Sequence, residues 1–233
     1  MKKQCECGAE IDLEGLAEFA DFLRFCEPCS EKNNLMIDRK LRKEREEAAR
    51  AHRLENAVKD WEKTVPPLYR LTDTKHEDYP RATHAMAIQW INSEKSRPWL
   101  GIVGVSGRGK TRVMSQVVKN RIWNDHSCAW VNATQFQWCA QNQHDHVDGK
   151  KAKAFIQKFR SCQFLAFDDL GKQKWTDTVE SYFWDLIEER YAQCLPMIWT
   201  SNSSLESLSA MLTEDRSKAI IGRLAETSNI IEL

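Results

Sequence analysis

Residues 104–111 have the types and spacing of a phosphate-binding loop. They read Gly-Val-Ser-Gly-Arg-Gly-Lys-Thr and match G-x-x-x-x-G-K-[ST] at every fixed position. In this pattern backbone N–H groups surround the phosphates at a helix N-terminus, the lysine reaches the terminal phosphates and the hydroxyl binds Mg²⁺. An apolar run precedes the loop and a helix-compatible run follows it, which disfavours a chance glycine-rich turn. The residues expected to contact nucleotide are Gly104, Ser106, Gly107, Arg108, Gly109, Lys110, Thr111 and Arg112.

Two carboxylates follow a second apolar run. Residues 164–167 are Phe-Leu-Ala-Phe, and Asp168 and Asp169 come directly after them. Open α/β sheets carry their ligand chemistry at the carboxyl ends of strands. We expect Asp168 to join Thr111 in holding Mg²⁺, and Asp169 to orient or deprotonate the attacking water. The alternative is a strand that ends in solvated acids.

A third apolar run, 197–200, leads into Ser201 and Asn202. An amide at the end of a neighbouring strand can hold the lytic water against the terminal phosphate. The sequence Ser-Asn-Ser-Ser is also ordinary turn chemistry. Spacing alone leaves both interpretations open.

Four of the eight cysteines lie within the first 29 residues. Cys5 and Cys7 form C-x-C, and Cys26 and Cys29 form C-x-x-C. Two such pairs suit a tetrahedral structural Zn²⁺ site, although C-x-C is tighter than the usual knuckle. Four unrelated thiols and an iron–sulfur cluster are the alternatives. The apolar residues between the pairs are expected to offer a partner-binding face: Leu13, Leu16, Phe19, Phe22, Leu23 and Phe25.

The elements that must position these groups follow from the apolar pattern. Residues 31–62 lack Gly and Pro and are rich in Arg, Lys, Glu and Ala, which predicts one long exposed helix that ends before Pro66 and Pro67. An extended connector is expected over 64–81. Apolar runs then alternate with helical stretches, which predicts a parallel sheet covered on both faces. The predicted strands are 99–105, 127–132, 164–167, 197–200 and 230–233.

Composition bounds the class of protein. The 34 Lys and Arg residues balance the 34 Asp and Glu residues, so total charge does not indicate nucleic acid or membrane. The longest apolar run, 99–105, is much shorter than the roughly 18 residues that a membrane helix needs. The N-terminus becomes acidic at once and offers no signal-peptide core, so we expect a cytoplasmic protein.

These motifs together resemble one family of ATPases. Asp168-Asp169-Leu170-Gly171, a helix ending in Arg190-Tyr191, and Thr200-Ser201-Asn202 are similar to the DnaC/DnaI-type AAA+ helicase loaders and to IstB-type transposition helpers. The resemblance covers roughly 64–233. It implies an α/β AAA+ P-loop sheet with a reduced lid, after a zinc module at 1–30 and a helical linker at 31–63. By this resemblance, residues 104–111 match the Walker A motif of the family, Asp168 and Asp169 match its Walker B motif, and Asn202 matches its sensor 1 residue.

The resemblance also implies partners and one further site residue. Arg223 matches the arginine finger that reaches a neighbouring subunit's ATP, with Arg216 as its competitor, so self-association through the ATPase domains is expected. In the DnaI branch a zinc-containing N-terminal domain grips the replicative helicase. The implied function is ATP-dependent loading of a hexameric replicative helicase on single-stranded DNA. An IstB-like transposition helper and a nucleotide-switched adaptor with little hydrolysis remain alternatives.

Two basic stretches are candidate DNA contacts. The family tends to line its ring pore with single-strand-binding residues in the region of the second stretch. Basic clusters are otherwise usually solvated faces, and nearby acids weaken the first stretch. The first comprises Arg39, Lys40, Arg42, Lys43 and Arg45, and the second Lys150, Lys151, Lys153, Lys158 and Arg160.

Overall fold

A computed structural model describes residues 2–5, 7–12, 26–93 and 98–233. The chain divides into two compact units, Met1–Glu55 and Asn56–Leu233. In the first unit, β1 (Lys2–Gln4) pairs antiparallel with β2 (Glu10–Asp12). Helix α1 (Glu27–Thr64) begins in this unit and ends in the second. The apolar spacer predicted to bind a partner lies almost wholly at 13–25, outside the described residues.

The second unit is built on a five-stranded parallel sheet. Its strands are β3 (Trp99–Val103), β4 (Cys128–Asn132), β5 (Phe164–Asp168), β6 (Met197–Ser201) and β7 (Ser228–Glu232). They lie in the order β4-β5-β6-β3-β7. Strands β3, β5 and β6 are buried along their whole length, as expected for central strands covered on both faces. The predicted parallel sheet flanked by helices is therefore confirmed.

Helices cover both faces of this sheet and enclose two apolar cores. The helices of this unit after α1 are α2 (Pro67–Arg70), α3 (Arg81–Asn92), α4 (Lys110–Trp123), α5 (Ala133–Gln141), α6 (Gly149–Ser161), α7 (Asp177–Ala192), α8 (Leu205–Ser209) and α9 (Glu214–Thr227). Helices α3 and α4 pack on one face and α5, α7 and α9 on the other. In the described part of the chain, no helix is both long enough and apolar enough to cross a membrane.

The structure corrects one detail of the expected organisation. The connector at 64–81, expected to be extended, contains the short helix α2, which Pro66 and Pro67 start because proline is well accommodated in a first helical turn. The boundary between the compact units falls at Glu55, inside α1. Ala57 and Trp61 are buried in the apolar core of the second unit, so the last turns of α1 belong to that unit. The three-part division into 1–30, 31–63 and 64–233 stays a prediction.

Packing inside the sheet explains why one strand carries a glycine. Gly101 lies beside Trp199 in the β3–β6 register, and a Cβ atom at Gly101 would lie 2.5 Å from the Trp199 ring. The indole N–H of Trp199 donates to the Ser228 hydroxyl at 2.9 Å. Central strands β3 and β6 are therefore locked together by a close approach that only glycine permits.

The Arg190 side chain stabilises the end of the sheet opposite the phosphate loop. It is fully buried and donates from its guanidinium to the carbonyl groups of Phe159, Cys162 and Pro196 at 2.9, 3.0 and 2.6 Å. These carbonyls belong to the segments that lead into β5 and β6. Arg190, quoted above as part of the family resemblance, therefore has a structural role in this chain.

Candidate nucleotide site and thiol cluster

The phosphate loop lies between β3 and α4, at the carboxyl edge of the sheet. Gly107 and Gly109 adopt φ angles of +83° and +85°, which glycine tolerates and which let backbone N–H groups turn towards one point. A Cβ atom at Gly104 would collide with the carbonyl oxygen of Leu233. Each of these three glycines therefore meets a geometric requirement of the loop.

Lys110 is buried at the first position of α4. Its ammonium donates to the carbonyl oxygens of Gly104 and Val105 at 2.7 and 2.8 Å, and to Oδ1 of Asn202 at 2.8 Å. All three acceptors are neutral, and burial lowers the lysine's pKa. A buried ammonium held by neutral oxygens is suited to an incoming anion, so the site fits a nucleotide phosphate.

Beside Lys110, hard oxygen ligands are gathered around Asp168. The Thr111 hydroxyl donates to Oδ1 of this carboxylate at 2.9 Å, and the Thr200 hydroxyl donates to the same oxygen at 2.7 Å. Asp168 is buried, and desolvation raises its pKa. Because Mg²⁺ prefers hydroxyl and carboxylate oxygens, Thr111 and Asp168 fit the role of Mg²⁺ ligands. The sequence indicated Thr200 only as part of the Thr200-Ser201-Asn202 motif and not as a partner of Asp168, because this contact joins two different strands.

Asp169 has an unusual backbone conformation for a residue other than glycine, with a φ angle of +60°. Its N–H donates to the Thr200 hydroxyl at 2.9 Å, and its Oδ2 atom accepts from the Lys172 ammonium at 2.8 Å. Asp and Asn tolerate this left-handed region better than most residues, and such strain concentrates at functional sites. The turn directs the second carboxylate into the cavity beside the phosphate loop.

Most of the predicted nucleotide residues line one cavity of about 360 Å³. From the loop and α4 it is lined by Ser106, Gly107, Gly109, Lys110, Thr111 and Arg112, and from the facing strands by Asp169 and Asn202. Tyr69 and Lys172, which the sequence did not indicate, complete the wall. Asp168 lies buried against Thr111, while the Arg108 side chain is exposed.

A second cavity, of about 390 Å³, shares Gly107, Gly109 and Arg112 with the first. Its other walls come from the connector expected to be extended: Leu71, Asp73, His76, Asp78, Tyr79 and Pro80. The buried Tyr79 hydroxyl has no hydrogen-bond partner among the described residues, and burial raises its pKa to about 12. A cavity that continues from the phosphate loop has room for the nucleoside part of a nucleotide.

Arg223 lies apart from the phosphate loop of its own chain. It is near the end of α9, which leads into the amino end of β7, whereas the loop follows the carboxyl end of β3. Its guanidinium bonds to Glu188 at 2.6 Å and to Glu226 at 2.9 Å, and lies 3.7 Å from the centre of the Tyr191 ring. Arg216 donates to the Asp177 carbonyl. Which of the two arginines acts as a finger stays a prediction.

The basic residues of α6 divide into two groups. Arg160 pairs with Asp185 and Glu189 of α7 at 3.3 and 3.5 Å, so it helps to hold two helices together. Lys150, Lys151, Lys153 and Lys158 are exposed, and the Lys151 ammonium also lies over the Trp138 ring. In α1, Lys40 of the other basic stretch forms only a long pair, at 4.0 Å, with Glu44. The exposed lysines of α6 and the exposed basic residues of α1 are therefore both candidates for contact with phosphates.

The four N-terminal cysteines converge. Cys5 and Cys7 lie in the turn between β1 and β2, and Cys26 and Cys29 lie at the start of α1. Their four Sγ atoms all lie within 4.8 Å of one another, and those of Cys7 and Cys26 are 3.6 Å apart. A tetrahedral Zn²⁺ with Zn–S bonds of about 2.3 Å would separate its sulfurs by about 3.8 Å. The cluster therefore fits a zinc ion.

Hydrogen bonds shift the pKa values of the cluster's thiols in different directions. Backbone N–H groups, first that of Cys7, stabilise the Cys5 thiolate and lower its pKa to about 6. Side-chain hydrogen bonds with Cys7 and Cys26 raise the pKa of Cys29 to about 12. Deprotonated thiols are the form that binds metal, so metal and protons compete for this cluster.

Comparisons with known proteins agree with this geometry. Three solved structures share the fold: DnaI (20% identity, TM-score 0.53, covering 70% of this chain and 86% of that one), the DnaC helicase loader (16%, 0.54, 71% and 95%) and AMPPCP-bound DnaA from Aquifex aeolicus (16%, 0.51, 66% and 46%). This chain thus spans less than half of that DnaA chain. The comparison with curated proteins gave no match. The model of the IstB-like ATP binding protein family matches residues 25–233. The chain belongs to this family and is a P-loop ATPase of the AAA+ fold.

Proposed function

We propose that this ATPase loads or remodels a hexameric replicative helicase on single-stranded DNA and that ATP is the switch. The observation that carries the proposal is the contact of Lys110 with Asn202, next to the Thr111–Asp168 pair, in a chain whose fold is shared with a DnaC helicase loader. In that arrangement Lys110, Thr111 and Asn202 line one cavity, where their hydrogen-bond donors can bind the terminal phosphate of ATP.

Within the site, each residue has a distinct task in hydrolysis. Lys110 binds the terminal phosphates, and Asn202 and Asp169 orient a water for attack on the γ-phosphate. Thr111 and Asp168 would hold Mg²⁺, which when bound neutralises phosphate charge. Thr200 keeps Asp168 and the backbone of Asp169 in place. Arg223 of an adjoining subunit would supply the remaining positive charge, which requires assembly of the chain with itself.

The cysteine cluster supports a loader over a transposition helper. Cys5, Cys7, Cys26 and Cys29 would hold one structural Zn²⁺, since four thiolates leave no open position on the ion. The first unit is small, and a metal can stabilise a small unit that has little apolar core. We infer that this unit binds the helicase and that the ATPase unit controls release.

Single-stranded DNA is the second partner in the proposal. The exposed lysines of α6 lie on one helix whose opposite side, formed by Ala152, Ile156 and Phe159, is buried. Lysines on the outer side can track a phosphate backbone. Neutralising Lys150 and Lys153 should weaken DNA binding and flatten its salt dependence, whereas the same changes at the exposed Lys32 and Lys218 should not. An unchanged salt slope would make the α6 lysines a solvated face.

The test is capture of purified candidate hexameric helicases by the full chain, with and without ATP. We expect capture that ATP modulates, that Cys26→Ser weakens and that Cys194→Ser, a change at an exposed thiol outside the cluster, leaves intact. A chain that hydrolyses ATP yet captures no helicase under any nucleotide condition contradicts the loader assignment.

The second candidate is a transposition helper, which the family match itself favours. Such a protein would deliver a transposase to DNA and would use the same ATP site. The two candidates differ in the partner of the first unit. Capture of a transposase, with no capture of a hexameric helicase, would favour the helper.

A further inference from the structure

One cation of the phosphate cavity belongs to neither nucleotide motif. Lys172 lies four residues after Asp168, in the loop between β5 and α7, and lines the same cavity as Lys110, Thr111 and Asn202. Its ammonium is 2.8 Å from Oδ2 of Asp169. A cation so close to the carboxylate that orients water is in a position to affect both the phosphate and that carboxylate.

The backbone around Lys172 is fixed. Its own N–H donates to the Asp169 carbonyl at 3.0 Å, and the Leu170 N–H donates to the Thr200 carbonyl at 2.8 Å. The Leu170 carbonyl in turn accepts from the Ser201 hydroxyl at 2.6 Å. These bonds hold the loop against the end of β6, which Asn202 follows. The backbone of Lys172 is therefore held at a fixed position relative to the phosphate loop.

The side chain of Lys172, in contrast, is half exposed, with 49% of its surface accessible. An exposed lysine–carboxylate pair contributes little net stability, because solvent screens it and both side chains lose freedom. The ammonium can therefore leave Asp169 at small cost when a stronger anion enters the cavity. A lysine whose backbone is held in place and whose ammonium can change partners is suited to binding a ligand.

Electrostatics points in the same direction. Desolvation is the main cause of the lowered pKa of Lys110, and the positive charge of Lys172 lowers it further. The Lys110 and Lys172 ammonium groups therefore repel each other within the cavity, and Asp168, Asp169 and the neutral oxygens that accept from Lys110 offset that repulsion. A bound phosphate would offset it further, and a triphosphate would do so more than a diphosphate because it carries more negative charge.

We propose that Lys172 is a further phosphate-binding cation of this site, which moves from Asp169 to a non-bridging oxygen of the γ-phosphate when ATP binds. The same movement frees Asp169 to accept a hydrogen bond from the attacking water. Lys172 would thus distinguish ATP from ADP and make the water-orienting carboxylate available only when a γ-phosphate is present. This inference rests on the assignment of the cavity to the phosphates of ATP.

A different role for Lys172 predicts the opposite result. If the lysine only restrained Asp169, its removal would speed hydrolysis and would leave the preference for ATP over ADP unchanged. If it binds the γ-phosphate, its removal weakens binding of the triphosphate and slows hydrolysis together. The two roles therefore predict opposite changes in the rate of hydrolysis, and only the phosphate-binding role predicts a loss of preference for ATP over ADP.

The experiment measures equilibrium binding of Mg²⁺·ADP and of a non-hydrolysable Mg²⁺·ATP analogue to the full chain, together with single-turnover hydrolysis of ATP. For Lys172→Met we expect affinity for the triphosphate to fall about tenfold, the size of one charge-assisted hydrogen bond, while affinity for ADP changes little. Lys172→Arg should keep most of the preference for the triphosphate. Lys174→Met, which removes an exposed lysine two residues away, should behave as the parent protein.

Equal losses for both nucleotides, or faster hydrolysis in Lys172→Met, would overturn the inference. Lys110→Met separates this failure from failure of the site as a whole. If the parent binds both nucleotides, Lys110→Met binds neither and Lys172→Met binds both normally, the cavity is the phosphate site and Lys172 is not its ligand. If the parent binds no nucleotide, the proposed function itself fails.

Discussion

The Nζ atom of Lys110 lies 2.8 Å from Oδ1 of Asn202, although 92 residues separate them in the chain. One residue starts α4 and the other follows β6, and β6 is the hydrogen-bonded neighbour of β3 in the sheet. The contact exists because parallel neighbours end at the same edge. A terminal phosphate that accepted from the Lys110 ammonium would compete with Asn202 for the same donor. We therefore expect Asn202 to change its orientation when a phosphate binds.

The first prediction concerns Lys110. Lys110→Met should abolish the thermal stabilisation that Mg²⁺·ATP gives to the protein, because the buried cation that pairs with the phosphates is lost. Ligand at about 100 times its dissociation constant stabilises a protein by about 2.7 kcal/mol, so the missing shift is easily measured. Lys119→Met, on the exposed side of the same helix, should keep the shift. A full shift in Lys110→Met would contradict the phosphate assignment.

The second prediction concerns Asp168 and pH. Because burial raises the pKa of this carboxyl, its ionisation disfavours the folded state, and stability is lost as pH rises from the unfolded value of about 4 through the higher folded value. Asp168→Asn keeps an oxygen to accept from Thr111 and Thr200 and removes the charge. In thermal unfolding without nucleotide, the variant should be more stable than the parent at pH 7 and equal to it at low pH.

The same variant should lose the Mg²⁺-dependent part of nucleotide binding, since an amide is a weaker ligand for Mg²⁺ than a carboxylate. Titration of nucleotide with and without the ion measures this loss. Mg²⁺ enhancement as large as in the parent would remove Asp168 from the metal site.

The third prediction separates binding from hydrolysis. Asp169→Asn should bind ATP but lose hydrolysis, because the amide keeps the size of the side chain and removes the base. Phosphate release and nucleotide affinity are measured on the same preparation. Hydrolysis at the parent rate would show that another group orients the water.

Sequence patterns predicted the strands and helices around the nucleotide motifs, because each motif combines local secondary structure with fixed residue types. Strand ends were less accurate. The structure ends β3 at Val103 instead of 105, where Gly104 turns away with a φ angle of +150°, and it starts β7 at Ser228 instead of 230. Ser228 belongs to the strand because it pairs beside Trp99 and accepts from Trp199, contacts that join distant parts of the chain.

The contacts that bring some residues into the site could not be predicted from the sequence. Lys172 is one lysine in a polar loop, and Thr200 is one threonine at the end of a strand. Each becomes part of the site because β5 and β6 pair in parallel and end together. The cavity wall formed by 71–80 depends in the same way on how the connector folds against the phosphate loop.

The fourth prediction concerns the thiol cluster. Purified protein should contain one Zn²⁺ per chain, and rebinding of zinc at pH 7 should release protons, because only deprotonated thiols bind the metal and hydrogen bonds with Cys7 and Cys26 raise the pKa of Cys29 to about 12. Zinc affinity should therefore rise with pH. Proton release during titration of the metal-free protein measures this, with Cys29→Ser expected to release fewer protons. Elemental analysis that finds iron, or no metal in carefully prepared protein, would contradict a zinc site.

The fifth prediction concerns Arg223. The bond to Glu188 raises its pKa, so the guanidinium stays charged, and the residue lies at the end of the sheet away from its own phosphate loop. To act as a finger it must exchange Glu188 for the phosphate of an adjoining subunit. Arg223→Ala should leave nucleotide affinity of the isolated chain nearly intact and remove hydrolysis stimulated by DNA or helicase, since such fingers contribute about 10³–10⁵ in rate. Lys218→Ala, which removes an exposed cation from the same helix, is the matched control, and Arg216→Ala tests the competing arginine in the same way.

Mixing two inactive chains distinguishes action between subunits from action within one. Arg223→Ala has an intact phosphate loop and no finger, whereas Lys110→Ala has an intact finger and no working phosphate loop. In a mixed assembly the finger of the second chain can meet the loop of the first, so part of the stimulated hydrolysis should return. As a separate test, Glu188→Gln in a chain that keeps Arg223 should raise the stimulated hydrolysis above that of the parent protein, because a neutral amide holds the guanidinium less strongly than a carboxylate does. If the two chains assemble together and no activity returns, Arg223 does not act in trans, and Arg216 becomes the residue to test.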